Sequence, residues 1–225
     1  MARLLIARGQ RALRTGSRPD REAGHTLVEL TVAMTVFSVF LAMFIGAVVA
    51  VSRASTEARV DAQTSSAAGI ALQRIERSAR YADAINQPGA AGGTAYVEWR
   101  TDAVSASTGV ATCTQLRYRA DDGTIALRSW PASQSPSTGK WNVVMRDVIG
   151  TATTTYPFAT MVAAAGVSNY QGLTVHIRAG LDDRAGSEVM TTIYAKNSSV
   201  ESPSNTVAAS GQSTTPICAG SGYRS

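Results

Sequence analysis

The stretch AGHTLVELTVAM, residues 23–34, sets one acid, Glu29, at the start of an otherwise apolar run. The next 22 residues, 30–51, carry no formal charge, and Leu27 and Val28 continue the apolar character on the other side of Glu29. A carboxylate in hydrocarbon costs about 3 kcal/mol on insertion scales, so its first reading is a functional group with a partner. The run meets the length of about 20 residues that spans a bilayer. It exceeds the 7–15 residue apolar core of a cleaved secretory signal.

Charge supports the same reading. The chain has 21 basic and 16 acidic side chains, a net of +5. Residues 1–24 hold Arg3, Arg8, Arg11, Arg14, Arg18 and Arg21 against Asp20 and Glu22, so +4 of that +5 precedes the apolar run. Basic residues in front of an apolar segment mark the end that stays in the cytoplasm. The chain is therefore expected to cross the cytoplasmic membrane once, with everything after Arg53 outside the cytoplasm. The remainder has no block of like charge such as a nucleic-acid groove needs, and nucleic acid is not an expected partner. Small residues around positions 47–50 offer an alternative, a secreted protein cut there and lacking the apolar helix.

Beyond the run, Ala68, Ala71, Leu72, Ile75, Ala79, Ala82 and Ile85 recur at spacings of three and four, with charged residues between them. That spacing predicts an amphipathic helix. With no proline from residue 25 to the Asn86-Gln87-Pro88-Gly89 stop, it predicts a single helix to about Asn86, roughly 90 Å long at 1.5 Å per residue. Strand patterns follow at 94–101, 114–120, 124–130, 141–148, 173–181 and 189–196, and Asp121-Asp122-Gly123 marks a hairpin turn. Leu173, Val175 and Ile177 alternate with Thr174, His176 and Arg178, one face buried and the other wet.

The predicted class is α+β, a long N-terminal helix on a mostly antiparallel sheet. Its organisation reads as a leader (1–24), an apolar helix (25–52), an amphipathic half (53–88), a β-rich head (89–197) and a Ser/Thr/Gly-rich tail (198–225) anchored at most by Cys218. Cys113 and Cys218 are candidates to pair once exported, the alternative being two unpaired thiols. Closing that loop contributes about 4–5 kcal/mol in the chain-entropy model.

Gly24-His25-Thr26-Leu27-Val28-Glu29, after a basic leader and before an apolar run, resembles the processing site of type IV pilins and type II secretion pseudopilins. The resemblance implies cleavage by a prepilin peptidase between Gly24 and His25, methylation of the new His25 α-amine, and an assembly role for Glu29. The usual first mature residue is Phe or another apolar one, so His25 is a departure that bears on methylation. The implied partners are the prepilin peptidase, an assembly platform and ATPase, other major and minor pilins packed helix on helix, and membrane lipid before assembly. The implied destination is a cell-surface or periplasmic filament.

The head has several long strands, and its C-terminal half, GLTVHIRAGL (172–181) and EVMTTIYAKNS (188–198), resembles the larger minor pilins and J-type pseudopilins of tip or priming complexes. The presence of Glu29 favours a place beneath the extreme tip. Physically, a freed α-amine and a buried carboxylate relieve one another, whereas either alone in hydrocarbon is costly. The rival of another class is an uncleaved signal-anchored binding domain that never polymerises.

No catalytic constellation is present: the two histidines are His25 and His176, and no Cys/His cluster has metal-ligand spacing, so neither an enzyme nor a cofactor or metal is expected. Asp121, Asp122, Asp182, Asp183 and Glu188 offer oxygen ligands for calcium, but acids in turns are ordinary turn residues. Trp99, Trp130, Trp141, Tyr96 and Tyr118 are read as core or sheet-face residues. Arg117, Arg119 and Arg128 are read as a solvated strand face.

Overall fold

Thr26 opens the first helix. Its hydroxyl accepts from the Glu29 amide at 3.3 Å and its carbonyl from the Leu30 amide at 3.1 Å. Thr26 and Glu29 thus stand at the capping-box spacing, with the acid in the first turn where the helix dipole favours it. The computed structural model describes residues 26–181, 184–220 and 222–224. The helix α1 spans Leu27–Ala79. The chain divides at Val51 and Ser52 into two units.

In the first unit every described residue is exposed. The second unit is α+β, with residues 52–79 of α1 packed on two antiparallel sheets. Only a narrow stripe of that helix is buried: Thr64, Ala68, Ala71, Ile75 and Ala79. Four of the five are small, which lets the helix backbone lie close to the sheets.

The larger sheet runs β1 (Ala84–Ile85), β3 (Thr94–Thr101), β4 (Thr112–Arg119), β5 (Thr124–Pro131), β6 (Asn142–Met145), with β2 (Gly89–Ala91) also on β3. The smaller runs β7 (Phe158–Met161), β8 (Gly172–Leu181), β9 (Arg184–Tyr194). Alternation turns Ala95, Val97, Trp99, Leu116, Tyr118 and Ile125 towards α1, where they join Ala68, Ala71, Ile75 and Ala79 in one core with Phe158, Leu173, Val175 and Ile177. The Trp99 indole donates to the Ser78 carbonyl at 3.0 Å, which fixes the helix end against β3.

The predicted hairpin forms, with Gly123 at φ 59°. A side chain there would be strained, and its Cβ would stand 2.8 Å from the Val148 carbonyl oxygen. Residues 147–149 tie the sheets together: Val148 N–H donates to Gly123, Ile149 N–H to Arg178, and the Asp147 carbonyl accepts from Gly180, each at 2.9 Å.

Four differences from the sequence reading have physical causes. The helix ends at Ala79, not near Asn86: Ala84–Ile85 pairs with Trp99 and Arg100, and the Arg100 guanidinium forks onto Asp83. Ala82 and Ile85 keep helical spacing yet reach the core from a turn and a strand. The strand expected over 141–148 stops at Met145, since Val148 instead bridges Ala179. The strand β7 was not predicted: four residues flanked by irregular chain give too short a pattern. The reading of 198–225 as a tail held at most by Cys218 is corrected. Ser198, Ser202, Ser204, Ser213 and Ile217 are buried, and residues 222–224 close over the larger sheet.

Candidate functional site

Two places in the molecule carry functional groups, and each is described by itself. The first is the N-terminal half of α1. Gly24 and His25, the expected processing pair, lie outside the described residues, as does the leader. Glu29 is exposed at N3 of the helix, four residues beyond His25.

From Leu27 onward the side chains point outward without cover: Leu27 is 79% exposed, Phe37 64% and Met43 70%. The polar groups in this stretch are satisfied within the helix. Thr31 donates to the Val28 carbonyl (2.8 Å), Thr35 to Val32 (2.8 Å) and Ser38 to Met34 (2.7 Å). Hydroxyls that bond back to their own helix tolerate hydrocarbon. The most apolar 18-residue window has a mean hydropathy of 2.5 and is unburied, so α1 is long and apolar enough to cross a membrane. This fits a membrane-anchored single-pass protein.

The second place is the far face of the larger sheet. Glu98 lies in mid-strand on β3 and is fully buried, turned away from α1. Arg224 donates to both its oxygens, Nε to Oε1 at 3.1 Å and Nη2 to Oε2 at 2.9 Å. Gln115 Nε2 (2.9 Å) and Asn86 Nδ2 (3.1 Å) complete the carboxylate's contacts.

The network extends outward from there. Arg128 Nε donates to Gln115 Oε1 at 2.8 Å, and Arg224 also reaches Gln212 Oε1 and the Gln87 carbonyl, each at 2.7 Å. Burial pulls the Arg224 guanidinium down, yet hydrogen bonding and charge from Glu98 outweigh it and raise it above the ordinary arginine value. Asn86 exchanges two bonds with Ile217, at 2.8 and 2.9 Å. Cys113 and Cys218 are bridged, with Cα atoms 5.7 Å apart. The described residues from 198 to 224 therefore form a strap, tied by a disulfide, a buried ion pair and side-chain amides.

Position 89 makes room for that strap. A Cβ on Gly89 would collide with Arg224 Nη1, so only glycine leaves the guanidinium its place. Sequence reasoning missed Glu98, Asn86, Gln115 and Arg224. The available signal was an acid in mid-strand, in TAYVEWRT, whose buried partner stands 126 residues away.

The other singled-out residues divide among these surroundings. Arg119 pairs with Asp121 (2.8 Å) and Asp122 (3.3 Å), and the Asp122 carboxylate also accepts from the Thr124 amide at 3.1 Å. Hydrogen bonding from Arg119 holds the Asp121 carboxyl below its usual range. Asp182 and Asp183 lie outside the described residues, and among the described residues no group of three His, Cys, Asp or Glu is placed to hold a metal ion. His176 contacts Glu188 across β8 and β9 on the wet face and meets the Tyr156 ring edge-on at 5.3 Å.

Trp99 and Tyr118 are core residues, and Trp130 and Trp141 lie on the strap side of the sheet. The reading of Arg117, Arg119 and Arg128 as one solvated face is corrected: Arg128 is 6% exposed and Arg117 half-buried.

No curated protein and no solved structure matches the chain. A family model described as the prokaryotic N-terminal methylation motif matches residues 19–45, the span that holds Gly24, Glu29 and the first part of the exposed apolar helix. That family is structural rather than enzymatic. The chain thus carries, at its N-terminus, the prepilin motif of type IV pilin- and pseudopilin-like proteins.

Proposed function

We propose that this protein is a minor pilin or pseudopilin, a structural subunit without catalytic activity of its own. A prepilin peptidase cuts it between Gly24 and His25. An assembly platform and ATPase then draw it from the membrane into a type IV pilus or secretion-type filament. The observation that carries this reading is a coincidence in register: the matched motif, Glu29 and an uncovered apolar helix occupy the same stretch. In a filament, helices of neighbouring subunits replace lipid around that surface. The new α-amine of one subunit meets Glu29 of another, each relieving the cost of burying the other. The elaborate head and the retained glutamate favour a place in a tip or priming complex, beneath the outermost subunit.

Glu29 also stands at the capping-box position, so a substitution must separate helix capping from assembly. Glu29→Gln keeps a side chain able to cap and removes the charge. The expected outcome is a stable, membrane-bound, cleaved protein that is depleted from sheared filaments. Normal incorporation of Glu29→Gln contradicts the role given to the carboxylate. The uncleaved, non-polymerising anchor predicts no dependence on Glu29 and no processing.

A further inference from the structure

The strap side of the larger sheet holds two neighbouring cations, Arg117 and Arg128, of which only Arg128 is tied into the polar layer. Arg117 on β4 and Arg128 on β5 both place their guanidinium carbons over the Trp141 ring, 3.9 and 4.5 Å from its centroid. Arg128 is anchored by Gln115 Oε1 at 2.8 Å and by the Tyr223 carbonyl at 3.0 Å.

The Arg117 side chain makes no hydrogen bond to any described residue, and its Nε is sealed from solvent without an acceptor. The nearby acids are already engaged: Glu98 by Arg224, Asp121 and Asp122 by Arg119. Arg117, Arg119, Arg128 and Arg224 against Glu98, Asp121 and Asp122 leave one positive charge in excess. Burial pulls both Arg117 and Arg128 below the ordinary arginine value, and their mutual repulsion adds to it for Arg128. A guanidinium offers five donors in a planar fork, and stacking on an indole orients that fork without using any of them.

We propose that Arg117, oriented by Trp141 and backed by Arg128, is a receptor for an oxyanion presenting two acceptor oxygens, a carboxylate or a phosphate group. Such a ligand takes the bidentate geometry an arginine fork is shaped for. It also supplies the negative charge that the surrounding described residues do not provide, and it meets the two terminal Nη groups, the sealed Nε staying out of its reach. A nucleic-acid duplex fits less well, because Arg128 is buried and Arg119 is committed to the hairpin turn. One accessible fork suits a single anionic group rather than a run of phosphates.

The test uses the full chain in detergent micelles at neutral pH and constant ionic strength, with ¹⁵N-labelled indoles. Inorganic phosphate and acetate are titrated separately. A Trp141→Phe variant identifies the Trp141 indole signal, and the Trp99 indole reports whether the core is intact. The expected result is a saturable shift of the Trp141 signal with one or both anions. Phosphate alone identifies a tetrahedral ligand, and acetate as well identifies a general oxyanion receptor.

Arg117→Gln is expected to abolish the shift while leaving the Trp99 signal in place. Arg117→Lys, which keeps the charge but loses the fork, is expected to weaken binding roughly tenfold. The proposal is overturned if neither anion gives a saturable shift, or if the shift persists in Arg117→Gln. It is also overturned if a duplex oligonucleotide binds with steep salt dependence while both small anions fail.

Discussion

The two faces of the larger sheet are built on different physics. Towards α1 lie Ala95, Val97, Trp99, Leu116, Tyr118 and Ile125, closed by a helix stripe of Ala68, Ala71, Ile75 and Ala79. Away from α1 lie Glu98, Gln115, Arg117 and Arg128, closed by a strap whose described residues form no strand or helix. On the helix face the cost of a change is graded, because burial is roughly proportional to area. The strap face is all or nothing, because a buried carboxylate without its partner is costly. The head is therefore more vulnerable to the loss of one terminal arginine than its position near the end of the chain suggests.

The sharpest attempt to break this contrast is Arg224→Ala, which leaves Glu98 buried and unpaired. It is expected to lower the head's unfolding free energy by about 3–5 kcal/mol, read by denaturant titration of the full chain in detergent. Gly89→Ala is expected to act in the same direction by displacing Arg224. If Arg224→Ala unfolds with the wild-type midpoint, the strap is not integral to the head.

On the helix face, Ile75→Ala is expected to cost about 3 kcal/mol in the same assay. Phe37→Ala, in the uncovered half of α1, is expected to leave the head's midpoint unchanged. Replacing Cys113 and Cys218 with Ala is expected to cost about 2–3 kcal/mol, less than the chain-entropy value, because the ion pair and the amides still hold the strap. A loss of cooperativity in that variant would show that the disulfide, rather than Glu98, organises this face.

A further effect is confined to alkaline pH. Burial pushes the Tyr118 phenol from 10.0 up to about 12, and its hydroxyl donates to the Gly150 carbonyl at 2.6 Å. Because the folded value is the higher one, its stabilisation is complete below the unfolded value of about 10 and is lost as pH rises through about 12. Wild-type stability is expected to fall more steeply between those values than that of Tyr118→Phe, as seen in midpoints collected across that range. Parallel curves contradict the assignment to Tyr118.

The helix face was legible in the sequence because its signals are local. Spacings of three and four mark the stripe at 68, 71, 75 and 79, and period-two alternation marks Leu173, Val175 and Ile177. The Asp-Asp-Gly hairpin was legible for the same reason. The strap face was not, since its logic is pairwise and long-range: Glu98 with Arg224, Asn86 with Ile217, the Gln87 amide with the Ser213 hydroxyl. A run of Ser, Thr and Gly has the composition of a loose tail, and here buried serines serve instead as donors to backbone carbonyls, Ser202 to Asp83 and Ser204 to Ile85. Helical spacing also over-ran the true helix end, because Ala82 and Ile85 satisfy the same core from irregular chain and a strand. The N-terminal motif was fully legible, since it is contiguous and its meaning lies in what processes it.

Whether this chain is a processed filament subunit is read from intact and N-terminal mass spectrometry of the protein recovered from membranes. The expected result is a mature chain that begins at His25, with an added methyl group on its α-amine where modification follows cleavage. A chain that retains residues 1–24 would contradict it and leave the head on a simple membrane anchor.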